Sequence, residues 1–255
     1  GTSPMAIVER ADGVDVTPMS WAGLFGSIEA VDLLIRRGAD VNARKLDLYG
    51  REGTWGLSAL EIAAREGHLE IVKLLLKNGA KISTAKGHGN ALKFVGGSVR
   101  PADYWEKISS PGNRKVIEYL ISQGADINQA DAYGVRPLSY AVQSGRLDVV
   151  RYLVEERDDA EINTRPTPFR ESALYLAVWR LAPAGTRQED LQLQTDMVKL
   201  LLKNGADPTL PDRSGKTPID VARRPEIREL LISARSRKEK IAPSKQQDEQ
   251  KVKAP

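Results

Sequence analysis

The chain has 255 residues, 41% hydrophobic and 28% charged, which excludes a largely disordered polymer. It has no cysteine and two histidines, His68 and His88, which excludes disulfides, thiolate metal sites and cysteine nucleophiles and argues against a histidine-based centre. The net charge of +4 resides in residues 233–255, with seven Lys/Arg and three acids, so residues 1–232 are neutral and a basic nucleic-acid-binding body is not expected.

Residues 1–11 are expected to be an N-terminal extension or a degenerate cap. Gly1-Thr2-Ser3-Pro4-Met5 has no basic start followed by an apolar stretch and resembles a trimmed start. The compartment therefore stays open between cytoplasm and an exported, periplasmic location after loss of a signal peptide. No apolar run approaches the roughly 18–20 residues of a membrane-spanning helix, so membrane insertion is not expected.

The first predicted helix follows Thr17 and carries the pattern Thr/Ser-x-apolar-x-x-Ala over Thr17–Ala22. A second follows over Val31–Ile35 and stops at Gly38-Ala39-Asp40. The pair recurs as Ser58–Ala63 and Ile71–Leu76, ending at Gly79-Ala80-Lys81. A weaker first helix at Asn90–Val95 precedes Val116–Ile121 and Gly124-Ala125-Asp126. Arg136–Ala141 keeps the Pro-Leu but lacks the hydroxyl, and its unit ends in a degraded Arg157-Asp158-Asp159. Ser172–Ala177 and Met197–Leu202 lead to Gly205-Ala206-Asp207; Thr217–Ala222 opens the last unit, with Pro225 where its second helix begins.

The spacing is regular. Thr17 to Gly38 and Ser58 to Gly79 are both 21 residues, whereas Asn90 to Gly124 is 34 and Ser172 to Gly205 is 33. Two units therefore carry insertions, at about 96–112 and 180–194, between their two helices. The linker from Gly38 to Ser58 is 20 residues, against 12 from Gly124 to Arg136 and from Gly205 to Thr217.

One unit has a plain physical logic. A Thr or Ser hydroxyl caps the first helix and Pro suits its first turn. A small alanine lets helices approach, and glycine ends the second helix in a left-handed conformation. A single helix pair cannot bury both faces, but stacked pairs can. Thr217-Pro218-Ile219, and above all the run from Gly67-His68-Leu69 to Asn78-Gly79-Ala80, resemble the ankyrin repeat, whose unit is about 33 residues. The implied fold is all-α: an ankyrin-repeat solenoid of about six helix–turn–helix units with loop fingers, covering residues 12–232. Residues 233–255, charged and poor in bulky apolar residues, are expected to be a disordered basic tail.

Chemistry is thinly supplied. His68 at the Gly-His-Leu position is expected to be a structural hydrogen-bonding residue, and His88 an exposed loop residue. Gly87-His88-Gly89 and Gly96-Gly97 lack the flanking pattern of a phosphate loop. Asp158-Asp159 and Glu189-Asp190 are expected in solvated loops rather than in a shielded site. No catalytic residue, metal site or cofactor is expected.

The resemblance implies a protein partner held in a concave groove lined by fingers and first helices. Carried over by register, the contact positions are Trp55 on the second unit's finger, with Arg65 and Glu66 at the end of its first helix. In the fourth unit they are Tyr133 and Gln143, in the fifth Phe169, Glu171, Trp179 and Arg180, and in the sixth Arg213. The long linker adds Tyr49 and Arg51. Trp21 is expected in the core, while Tyr104 and Trp105 lie in the first insertion.

The expected function is a non-catalytic scaffold, an adaptor or effector and a monomer when free; the alternative is an inhibitor or immunity-type protein occluding a partner enzyme's active site.

Overall fold

The computed structural model describes residues 17–44, 57–83, 91–92, 113–131, 134–165, 171–181 and 188–251, with backbone alone at residues 113, 180 and 239–251. Eleven helices and no strand are formed among the described residues. The chain divides into two compact units, Gly1–Ala132 and Tyr133–Pro255.

The first unit contains α1 (Pro18–Phe25), α2 (Ile28–Arg36), α3 (Ala59–Glu66), α4 (Leu69–Lys77) and α5 (Asn113–Ser122). Thr17 caps α1: its Oγ1 accepts from Ser20 N at 3.0 Å, satisfying one of the four free N–H groups of the first turn. Ser58 and Glu61 form a reciprocal capping box at α3, with Ser58 N donating to Glu61 Oε2 at 2.8 Å. Glu61 is only 3% exposed, and Arg44 from the preceding linker supplies the opposite charge that burial of a carboxylate requires.

α1 packs beside α3, α2 beside α4, and α5 against both α3 and α4. The helices approach closely because the facing residues are small. A Cβ added at Gly23 of α1 would lie 3.1 Å from Ala59 O, and Ala63 and Ala64 are fully buried. Val31, Ile71, Val72, Leu75, Val116 and Leu120 fill the layer behind them.

The turn joining α1 to α2 needs glycine for two reasons. Gly26 has φ of +73°, and a Cβ there would meet the His68 ring at 2.7 Å. His68 Nε2 in turn donates to Leu24 O at 3.3 Å, so its structural role is as expected from sequence. Trp21 differs from expectation: it is half-buried, its ring stacked on exposed Phe25 at 5.0 Å. The α1 face that carries both rings is therefore not fully covered by described residues.

The second unit contains α6 (Pro137–Gln143), α7 (Leu147–Glu155), α8 (Ala173–Arg180), α9 (Gln188–Lys203), α10 (Pro218–Val221) and α11 (Pro225–Lys251). α6, α8 and α10 lie side by side as one layer, with α7, α9 and α11 behind them. Ser172 caps α8 and a Thr217–Asp220 box caps α10. Leu174, Leu176, Met197, Val198, Leu201, Ile227 and Leu231 form the core between the layers.

Two features depart from a simple repeat. α9 has 16 residues where α2, α4 and α7 have 9, because the second half of the insertion expected at 180–194 is helical and extends α9 backwards. α10 has only 4 residues, since Pro225 disfavours helical backbone at Arg224 and itself begins α11. α11 runs across the boundary expected at residue 232: Lys238 Nζ pairs with Asp207, and the helical backbone continues to Lys251. The insertion at 96–112, with Tyr104 and Trp105, and His88 lie outside the described residues.

Candidate functional site

The first-layer helices end at equivalent register: Arg65, Gln143 and Trp179 each stand seven residues after their helix-capping position, Ser58, Arg136 and Ser172. Their environments differ. In the first unit the Arg65 side chain is 10% exposed and donates from Nε to Glu66 Oε1 at 2.7 Å, so these two predicted residues are paired with each other. In the second unit Gln143 ends α6 half-buried, while Trp179 near the end of α8 is 41% exposed.

Trp179 is the best-developed feature. The Arg223 guanidinium lies over its ring, with Cζ 4.6 Å from the centroid. Beneath this stack, Gln194 of α9 is only 2% exposed. Its Nε2 donates to Val178 O at 2.8 Å and to Ala177 O at 3.2 Å, satisfying two carbonyls near the C-terminal end of α8. Its Oε1 accepts from Arg224 Nη1 at 3.2 Å, and the same nitrogen reaches Leu191 O at 2.7 Å and Thr195 Oγ1 at 3.2 Å. The residues adjoining Trp179 and Arg223 in the chain are thus tied together through one buried amide.

Sequence reasoning missed Arg223, Gln194 and Arg224. Applying the seven-residue step to Thr217 points to Arg224, but the early end of α10 presents Arg223 to the Trp179 ring instead. Gln194 gave no signal, because its role depends on how far α9 extends backwards.

At the other end of α8 and α10, Tyr175 OH donates to Asp212 Oδ2 at 2.9 Å. Burial, reinforced by this bond, raises the tyrosine pKa well above its ordinary value. Burial would raise the Asp212 carboxyl too, but hydrogen bonds from Ser214, the Lys216 backbone and Tyr175 outweigh it and hold the group below the usual carboxylate range. The turn carrying Arg213 is thereby anchored to α8, with Arg213 itself exposed. Glu171 is half-buried, immediately before the α8 cap, and Arg180 is the last residue of α8. Tyr49, Arg51, Trp55, Tyr133 and Phe169 lie outside the described residues.

Among the described residues no group of three or more His, Cys, Asp or Glu side chains is placed to hold a metal ion. No described helix is long and apolar enough to cross a membrane. The arrangement offers surface recognition: an aromatic face, a stacked cation and a rigid base.

Comparison with known proteins agrees with this architecture. A family model described as ankyrin repeats in three copies matches residues 6–86 and 108–182, and a single ankyrin repeat model matches 170–213. A protein of Escherichia coli (strain K12), YahD, named for ankyrin repeats, is 27% identical over 201 residues, covering 68% of this chain and 94% of its own. A Danio rerio protein whose name places it with palmitoyltransferases, ZDHHC13, is 27% identical over 217 residues, 84% of this chain. The chain spans between 13% and 28% of the length of three larger curated relatives, the Danio rerio protein among them. An ankyrin repeat domain from Acinetobacter baumannii AYE shares the fold with a TM-score of 0.58 and 24% identity, covering 85% of this chain and 97% of its own. The repeated capping, turn and packing pattern and the family matches over most of the sequence agree: the chain belongs to the ankyrin repeat family, whose repeats generally mediate protein–protein interaction.

Proposed function

We propose that the chain is a non-catalytic scaffold, an adaptor or effector, that holds a partner protein on the surface formed by its first-layer helices and fingers. The observation that carries this reading is Trp179, 41% exposed at the end of α8 beneath a stacked arginine. A large aromatic left in solvent costs hydrophobic free energy, and Trp and Arg are the residue types that anchor interfaces. The ankyrin fold is typically non-catalytic. The remaining contact positions are Trp55, Arg65, Glu66, Tyr133, Gln143, Phe169, Glu171, Arg180 and Arg213, proposed by register, with Tyr49 and Arg51 from the long linker.

The test is capture of proteins from native soluble and envelope extracts on the immobilised chain, beside a Trp179→Ala control, with identification by mass spectrometry. The expected result is a partner lost in the control, whose unfolding midpoint stays close to that of the wild type. A control that unfolds, or that retains every captured protein, overturns the assignment of Trp179. A captured enzyme that loses activity on binding would mark the protein as an inhibitor rather than an adaptor.

A further inference from the structure

We infer that the Trp179–Arg223 stack is a carboxylate-recognising anchor, and that the partner presents an acidic segment to it. This inference rests on the scaffold reading and specifies the partner's chemistry. Arg223 is exposed and its guanidinium makes no ion pair among the described residues. The guanidinium lies over the indole with Cζ 4.6 Å from its centroid and makes no hydrogen bond among the described residues, so its N–H groups remain to take a carboxylate, which a guanidinium binds through two parallel hydrogen bonds.

The pair is pre-organised on both sides. Gln194 bonds the carbonyls of Ala177 and Val178 just before Trp179 and accepts from Arg224 just after Arg223. These bonds hold the chain segments that carry the pair, which lowers the ordering cost of binding.

Charge complementarity points the same way. The carboxylates around α10 are already occupied. Asp212 accepts from Tyr175, Ser214 and the Lys216 backbone, Asp220 closes the capping box, and Glu226 lies 3.7 Å from Arg224. The cations Arg213 and Lys216 before α10 and Arg223 after it are exposed, and their side chains have no carboxylate within ion-pair distance among the described residues. Lys216 lies in the field of Asp220, while Arg213 and Arg223 present exposed positive charge on either side of the short helix, which suits a negative surface. An acidic side chain on the Arg223 edge, with a neighbouring apolar group on the uncovered part of the indole, fits this arrangement.

The test uses the full ¹⁵N-labelled chain and an acetylated, amidated peptide of alternating glutamate and leucine, with its glutamine-for-glutamate counterpart. The Trp179 indole N–H signal is assigned by its loss in Trp179→Phe. A saturable shift of that signal is expected with the glutamate peptide, with affinity at least about tenfold weaker for the glutamine peptide and for Arg223→Gln. Arg223→Lys keeps the charge but not the fork and is expected to fall between wild type and Arg223→Gln; it serves in place of the glutamine variant if circular dichroism shows that variant unfolded. Equal shifts with both peptides, no shift with either, or full retention in the lysine variant would overturn the inference. So would a shift produced by single-stranded oligonucleotide and not by the glutamate peptide. A protein captured from extract that is lost in Trp179→Ala but kept in Arg223→Gln leaves the scaffold reading standing and overturns this one.

Discussion

Asn163 donates from Nδ2 to the carbonyl of Gly205 at 3.0 Å, joining two successive repeats across 42 residues of chain. Its Oδ1 completes the link by accepting from Asp207 N at 2.8 Å. Asn42 makes the same pair of bonds in the first unit, to Gly79 O at 2.9 Å and from Lys81 N at 2.9 Å. At Gly79-Ala80 and at Gly205-Ala206, one asparagine amide thus ties the turn to that of the repeat before it. Asn163→Ala removes both bonds at an exposed position, where water replaces part of what is lost. The expected cost is about 1 kcal/mol, read as a lower urea midpoint with unchanged slope. An unchanged midpoint would show that the link adds nothing to repeat coupling.

Leu75 tests the stacking argument. It is 0% exposed, at the centre of the layer formed by α4 with α3 and α5. Leu75→Ala is expected to cost about 2–5 kcal/mol, the transfer loss plus the cavity that neighbouring repeats cannot close. Equilibrium unfolding in urea measures it, and a near-zero shift would contradict the packing described here.

Two glycines of similar backbone separate strain from crowding. Gly79 has φ of +86° with nothing within 4 Å of an added Cβ, whereas Gly26 has φ of +73° and the His68 ring at 2.7 Å. Gly79→Ala is expected to cost about 1–2 kcal/mol from the left-handed backbone alone. Gly26→Ala should cost about 1–3 kcal/mol more, because the ring must leave its place against Leu24 O. In a double-mutant cycle, His68→Ala should recover part of that excess. Equal costs for the two glycine variants would contradict the crowding at Gly26.

Asp220 gives the last unit a pH dependence. Backbone and side-chain hydrogen bonds from Thr217 lower its carboxyl pKa below the ordinary value. A group depressed in the folded state contributes stability that is fully present above its unfolded pKa, near 3.9, and is lost as pH falls through the lower folded value. The difference in Tm between wild type and Asp220→Ala is therefore expected to be constant at neutral pH and to shrink below about pH 4. A difference that stays constant through that range would show that the ionised carboxylate contributes nothing to the cap.

Much of the fold was legible because its determinants are local. Thr17, Ser58, Ser172 and Thr217 cap the helices they precede, and Gly38, Gly79, Gly124 and Gly205 take left-handed backbone where the pattern requires a stop. Each of these choices involves a few neighbouring residues, so the repeat register could be counted from the sequence alone. The same register located Trp179 at the end of α8.

The site was legible only to that depth. Arg65 and Trp179 share a register position, yet Arg65 is mostly covered and paired with Glu66 while Trp179 stands in solvent under Arg223. Register sets the helix end on which a side chain sits. What covers that side chain belongs to the adjoining repeat: how far α9 extends backwards, and where Pro225 stops α10. The sequence by itself determined the repeats, their caps and their turns, because those depend on backbone conformation within a few residues. Only the tertiary structure decided which arginine meets the indole and that Gln194 supports it, because those contacts join residues 16 to 44 positions apart through helix packing.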